Sequence, residues 1–358
     1  MKTLIKIHYE GDKNMGLTTS LLKEREIRKE VNLCDDKGRL LKDSIVWAKN
    51  PVVNCNVTRN WLRKKKWNYW CITNEECLFS VTISNIDYAG MIFAYFLDYK
   101  SGLFIEKTVI APFGKGCEMP NRVNESVSFE NNQLSLNFIQ EKDGTKITAS
   151  CNDFNGFEMN ADFKVTHPKG HETLNVVIPW DEKHFQFTSK HQCLPVTGNL
   201  TVGNKTYDLS SKKTFGCLDF GRGIWPYKVT WNWGSASGIQ NGKVIGLNLG
   251  GQWTDGTGMT ENAIVIDGKL TKISEDLKFI YDKNNYMNTW EIKSTVTDRI
   301  DLSFIPFYER IAKTDLKIVR SEVHQVIGYY YGSIQDKNGV TYEIKDLLGW
   351  VEDHYGQW

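Results

Sequence analysis

The stretch FGCLDFGRGIWPYKVTWNWGSASG, Phe215 to Gly238, sets Asp219, Arg222, Trp225, Tyr227, Trp231 and Trp233 among five glycines and one proline. Side chains on a strand repeat their face every two residues, so Val229, Trp231 and Trp233 lie together and one face is heavily aromatic. Two readings follow. In the first, the glycines allow a bulge or corner where the chain crosses between sheets, and an Asp219–Arg222 ion pair pins it. In the second, the rings are the walls of a small-molecule pocket, with Asp219 and Tyr227 as polar handles. Gly221-Arg222-Gly223 lacks the third glycine, the Lys-Ser/Thr and the helix of a nucleotide loop.

Outward from this stretch, short alternating or apolar runs are cut by Gly, Asn and Asp about every 8 to 12 residues, which is the all-β pattern. Gly198 to Leu209 reads as a hairpin with Gly203-Asn204 at its tip. Eight strand-like segments follow the opening stretch and a similar number precede it. Eight antiparallel strands close a barrel, so two barrels or one large sandwich would both use the length. Only TTSLLKEREIRKEVNL, Thr18 to Leu33, has helical composition, without a clear apolar stripe. No repeat of 20 to 50 residues occurs, which argues against a propeller or solenoid.

The 358 residues carry 44 basic and 43 acidic side chains, a net charge of +1, so nothing global calls for nucleic acid or an anionic membrane. The basic run Arg63 to Trp67 reads as a solvated strand lead-in. MKTLIKIHYEGDKNMG has no apolar core of signal-peptide length, and no uncharged apolar run nears the roughly 18 residues of a membrane span, so a cytoplasmic location without stable membrane insertion is expected. Eight scattered cysteines without a Cys-x-x-Cys pair read as buried free thiols.

The segment GLNLGGQWTDGTGMTEN brings Asn248, Trp253, Asp255 and Glu261 toward the Trp231 face, which makes them ligand-binding candidates with Trp225, Tyr227, Trp231 and Trp233. Asp255-Gly-Thr-Gly lacks the alternating oxygens of a calcium loop and reads as a glycine turn. In RSEVHQVIGYY, Glu322 and His324 share a strand face, where a carboxylate orients an imidazole for proton transfer. A strand-end histidine beside a salt bridge is the plainer reading. Glu352, Asp353 and His354 repeat the theme, yet neither His324 nor His354 has a second histidine at His-x-His or His-x-x-x-His spacing to support a metal. Neither a metal nor another cofactor is expected.

Taken together, RKKKWNYWCIT, FSVTISNIDYAGMIFAYFLD, LDFGRGIWPYKVTWNWGSASG, GLNLGGQWTDGTGMTENA, LSFIPFYER and SEVHQVIGYYYGSI resemble a bacterial family, the domain of unknown function 2804, from about Cys34 onward. More distantly, the order of hairpin, acid-containing motif, Trp-x-Trp strand and Asp-Gly hairpin is similar to the double-lipocalin enzymes, among them hydroxyneurosporene synthase, tocopherol cyclase and fungal Diels–Alderases. Asp219 matches the acid of their motif, while Arg222-Gly-Ile-Trp225 replaces its more usual His-Trp or Glu-Trp. The resemblance implies an all-β fold of two lipocalin-like (calycin-like) antiparallel β-barrels. Residues 1–45 are then an N-terminal extension, 46–225 the first barrel and 226–358 the second.

It also implies a hydrophobic or amphipathic small molecule bound near the barrel junction. As an enzyme the protein would be a cofactor-independent hydratase, cyclase or isomerase, with Asp219 and Glu322 or His324 moving protons and Arg222 and Tyr227 orienting the ligand. The alternatives are a non-catalytic lipid or terpenoid carrier and a carbohydrate-binding protein or glycoside hydrolase.

Overall fold

Alternation of apolar and polar side chains folds nearly every run into antiparallel strands. A computed structural model describes residues 17–210, 213–315 and 319–358. The N-terminal run read against a signal peptide, 1–16, lies outside the described residues. The first sheet runs Phe104–Pro112, Ala89–Asp98, Cys77–Asn85, Lys64–Thr73, Phe215–Ile224, Phe185–Val202, Phe157–Thr166, Gly144–Phe154, Ser135–Glu141, Val127–Glu130. The second runs Lys269–Lys272, Ala263–Ile266, Lys243–Gly251, Lys228–Gln240, Thr341–Gln357, Arg320–Gln335, Ile300–Asp315, Trp290–Ser294, Leu277–Ile280. The chain passes from one sheet to the other between Ile224 and Lys228.

Each sheet curls over its own apolar interior, so that Cys77–Asn85 touches Val127–Glu130 across the first and Lys243–Gly251 touches Leu277–Ile280 across the second. Among the described residues the end strands of neither sheet hydrogen-bond to each other. The architecture is therefore two curled half-barrels. Two further apolar clusters lie between the sheets: Trp47, Val176, Trp225 and Trp253 belong to one, Cys71, Tyr95, Cys217, Trp233 and Trp350 to the other.

Strand parity decides what faces this junction. On Phe215–Ile224, Leu218, Phe220 and Ile224 enter the first core, while Cys217 turns to the junction and carries Asp219, Gly221 and Gly223 to the same side. On Phe185–Val202, Phe185 and Phe187 face the core, so Gln186, Thr188 and Lys190 face the junction. Gln192 keeps that parity on the Cys217 side, and a bulge between His191 and Leu194, with Cys193 at φ 60°, reverses it so that Leu194 and Val196 face the core.

Three expectations are corrected. Thr18 to Leu33 is extended rather than helical, because its backbone groups are taken up by other segments of the chain. Ile27 N–H donates to Trp47 O (2.9 Å), Leu22 N–H to Ser274 O (2.8 Å), and Val31–Asn32 pairs in parallel with Val53–Asn54. The glycines of the opening stretch make no corner: Phe215–Ile224 pairs with Lys64–Thr73 without a register shift. A Cβ on Gly221 would lie 2.2 Å from the Trp67 ring, and one on Gly223 2.2 Å from Phe185 O, so these glycines admit close neighbours. Nor do Asp219 and Arg222 pair, since three residues apart on a regular strand they point to opposite faces.

Candidate functional site at the junction of the two sheets

Lys190 is the centre of the junction. Its ammonium lies 3.0 Å from Asp219 Oδ2, 3.4 Å from Glu261 Oε2 and 4.1 Å from the Trp233 ring centroid. Burial opposes its charge, but the two carboxylates outweigh burial and its pKa is raised. Thr188 Oγ1 donates to Asp219 Oδ1 (3.3 Å) and Trp253 Nε1 to Glu261 Oε1 (2.6 Å). Glu261 is pushed up by burial; Lys190 lowers it and Asp219 raises it. Glu261 Oε2 and Trp350 Nε1 are buried without a hydrogen-bond partner among the described residues.

Glu352 extends the same face from Thr341–Gln357. Burial pushes its carboxyl up to about 7 against the pull of Lys190 and Arg310. Gln325 Nε2 donates to Glu352 Oε1 (2.9 Å), and Tyr95 OH donates to Gln325 Oε1 (2.6 Å). Tyr69 and Tyr95 share a hydroxyl contact of 2.8 Å. Arg310 lies 4.3 Å from the Tyr95 centroid and forks onto Glu106, its Nε 3.0 Å from Oε2 and its Nη2 2.9 Å from Oε1. The acid is thus held by amide and hydroxyl groups, its surroundings dry.

Tryptophans wall this cluster. Trp225 stacks on Trp253 (5.6 Å, 13°) and meets Trp67, Trp180 and Trp231 edge-on at 5.8, 5.0 and 5.5 Å. Trp233 meets Tyr69 at 5.9 Å and Trp350 at 5.4 Å, also edge-on. His354 lies 3.6 Å from the Trp231 centroid; burial, then Arg310, lowers it to about 3, so its imidazole is neutral. The arrangement joins a near-neutral acid, a charged ammonium between carboxylates, and aromatic walls.

A family model described as Domain of unknown function (DUF2804) matches residues 24–358. The chain belongs to the DUF2804 family. No curated protein matches its sequence. Among solved structures it is similar to kievitone hydratase from Nectria haematococca, at 12% identity over 94% of this chain and 98% of that one, TM-score 0.48. It is also similar to NE1406 of Nitrosomonas europaea, described as an AttH, at 10% identity over 83% and 93%, TM-score 0.48. A third is CghA with Sch210972, at 9% identity over 83% and 89%, TM-score 0.41.

In this DUF2804 chain the candidates read from the sequence separate by face. Asp219, Trp225, Trp231, Trp233, Asn248, Trp253 and Glu261 come together; Asn248 Oδ1 accepts from Trp233 Nε1 (2.9 Å) and from Gln192 Nε2 (3.2 Å). Asp255 sits half-buried in the turn beyond, pushed up to about 6 by burial and then by Asp276. Tyr227 is on the surface, where its hydroxyl accepts from Gln357 Nε2 (3.0 Å).

Arg222 turns into the first half-barrel and spends its guanidinium on Pro120 O (2.9 Å), Trp67 O (2.7 Å), Gly221 O (2.8 Å) and Asn68 Oδ1 (2.7 Å). Glu322 and His324 do share a face and approach at 3.4 Å, but His324 stacks on Tyr286 (4.1 Å) and contacts Glu309 (2.6 Å), and Glu322 pairs with Lys313. Neighbouring Val326 belongs to the second core and Gln325 to the junction, so parity sends His324 away from Asp219.

Sequence reasoning missed Lys190, Tyr69, Tyr95 and Arg310 and noted Glu352 only as an acid beside His354. Lys190 alone carried a signal, a lysine in the middle of the strand run FQFTSKHQCL.

Proposed function

We propose that the junction binds a hydrophobic or amphipathic small molecule and performs acid–base chemistry on it as a hydratase, cyclase or isomerase. The observation that carries this reading is Glu352, a carboxyl buried beside the Lys190 cluster and the tryptophan walls, which burial pushes up to about 7. In a hydration, Glu352 gives its proton to one carbon of a double bond. Water adds its oxygen to the other carbon, and its released proton passes to Asp219, whose side chain keeps 13% exposure. Lys190 stabilises the carboxylate that this leaves on Glu352. The unpartnered Trp350 Nε1 offers a donor to a polar end of the ligand.

Arg222, Glu322 and His324 have no part in this proposal, because their polar atoms are engaged on other faces. The carboxylates gathered on one buried ammonium favour small-molecule chemistry over glycoside cleavage, which sets two carboxyls across a groove.

The test is turnover of a cell extract in deuterium oxide, read by mass spectrometry. Wild type should place solvent deuterium on a carbon of a specific compound. Glu352→Gln should lower that incorporation about a hundredfold or more while still retaining the compound in native mass spectra. Equal incorporation by both proteins removes Glu352 from the chemistry, and a compound retained unchanged by wild type leaves a carrier.

A further inference from the structure

Of the large apolar side chains exposed among the described residues, Phe113 (72%) and Trp61 (70%) are the most accessible. Both leave the same end of the first sheet. The ladders register Lys66 with Asn85, Asn85 with Gly90, and Ala89 with Pro112, so segments 58–63, 86–88 and 113–116 emerge side by side. Three inter-strand steps separate the outer two by about 14 Å. Leu62 (37%) and Ile110 (55%) add exposed apolar surface at this end.

The charge here is one-sided although the chain nets only +1. Arg59, Lys115 and Lys228 are exposed, and Arg63, Lys64 and Lys66 are half-buried. The acids at this end are Asp87, which Lys64 contacts at 3.5 Å, exposed Glu118, and Asp35 and Asp36 of the turn whose Gly38 lies against Arg59, where exposed Lys37 and Arg39 offset them. The base of the Trp61 turn is rigid: Arg63 donates to Trp358 O (2.6 Å) and Trp225 O (2.9 Å) and lies 5.8 Å from the Tyr227 centroid.

We propose that this end of the molecule docks on the surface of a bilayer with anionic headgroups. Trp61 and Phe113 enter the headgroup boundary, where amphipathic and aromatic rings settle. Arg59, Lys115 and Lys228 match the lipid charge. Two rings projecting from separate turns, with cations around them, suit a fluid surface that each ring enters alone. No helix among the described residues is long and apolar enough to cross a membrane, and surface docking needs none. The inference stands whether or not the junction is catalytic.

The experiment is flotation of the full chain with phosphatidylcholine vesicles, with and without phosphatidylserine. Wild type should float with the phosphatidylserine vesicles and be released by salt. Trp61→Ala with Phe113→Ala should lower partitioning at least about tenfold, and Arg59→Glu with Lys115→Glu should abolish the preference for phosphatidylserine. Phe157→Ala, an exposed ring at the opposite end of the sheet, should change nothing. Circular dichroism checks that each variant is folded. Absence of wild-type flotation, or equal flotation of the Trp61 and Phe113 variant, overturns the proposal. So does a wild-type oligomer in sedimentation that this variant breaks without any vesicle binding, which assigns the surface to a protein.

Discussion

At the scale of single residues, the junction concentrates charge in a dry place, and two titrations follow. Glu352 has its folded-state pKa raised to about 7 from an ordinary 4.5. The folded chain therefore keeps a proton that the unfolded chain has released, and stability falls as pH rises from the ordinary range to about 7. Glu352→Gln should lack that slope and unfold at a higher temperature than wild type above neutral pH, as pH-dependent thermal denaturation would show. His354 runs oppositely. Its folded value is depressed to about 3 from 6.5, so its contribution is present above 6.5 and lost as pH falls toward 3. Lys190→Met leaves Asp219 and Glu261 buried beside each other without a cation; a loss of roughly 3–5 kcal/mol is expected, measured by urea denaturation. A triple variant that also carries Asp219→Asn and Glu261→Gln should recover most of it.

At the scale of elements, parity along strands separates what the sequence discloses from what it hides. Trp231 and Trp233 share a face because they are two residues apart, and the Gly203-Asn204 hairpin tip follows from local turn chemistry, with Gly203 at φ 59°. The partner of Asp219 is not local. Lys190 comes opposite Asp219 only through the pairing of Phe185–Val202 with Phe215–Ile224, a register that no single-strand pattern contains. Local composition misleads at Thr18 to Leu33, where a helical mixture of Leu, Lys and Glu is pulled straight by tertiary partners. The Glu24 side chain there is buried, bound to Lys272 at 2.7 Å and accepting from Thr260 N–H at 2.8 Å. Glu24→Ala should strand the Lys272 ammonium and lower stability by roughly 3–5 kcal/mol, with faster proteolysis of the Thr18 to Leu33 segment. Gly221→Ala drives a methyl into Trp67 and should cost about 1–3 kcal/mol, a loss that Trp67→Phe partly relieves.

At the scale of the whole molecule, two curled sheets each have a core of their own, and the material between them differs in kind. The cores are mainly aliphatic, the first also rich in phenylalanine, while the junction collects Trp67, Trp180, Trp225, Trp231, Trp233, Trp253 and Trp350 around Lys190, Asp219, Glu261 and Glu352. Stability alone does not call for three buried carboxyls and a lysine where apolar residues would pack as well. The central claim is that Glu352 is kept protonated near neutrality so that it can give its proton away. Infrared difference spectroscopy of wild type against Glu352→Gln measures this directly. A protonated-carboxyl band assigned to Glu352, persisting through mildly acidic pH and lost around pH 7, is the predicted result. A Glu352 already ionised in the ordinary glutamate range would contradict it.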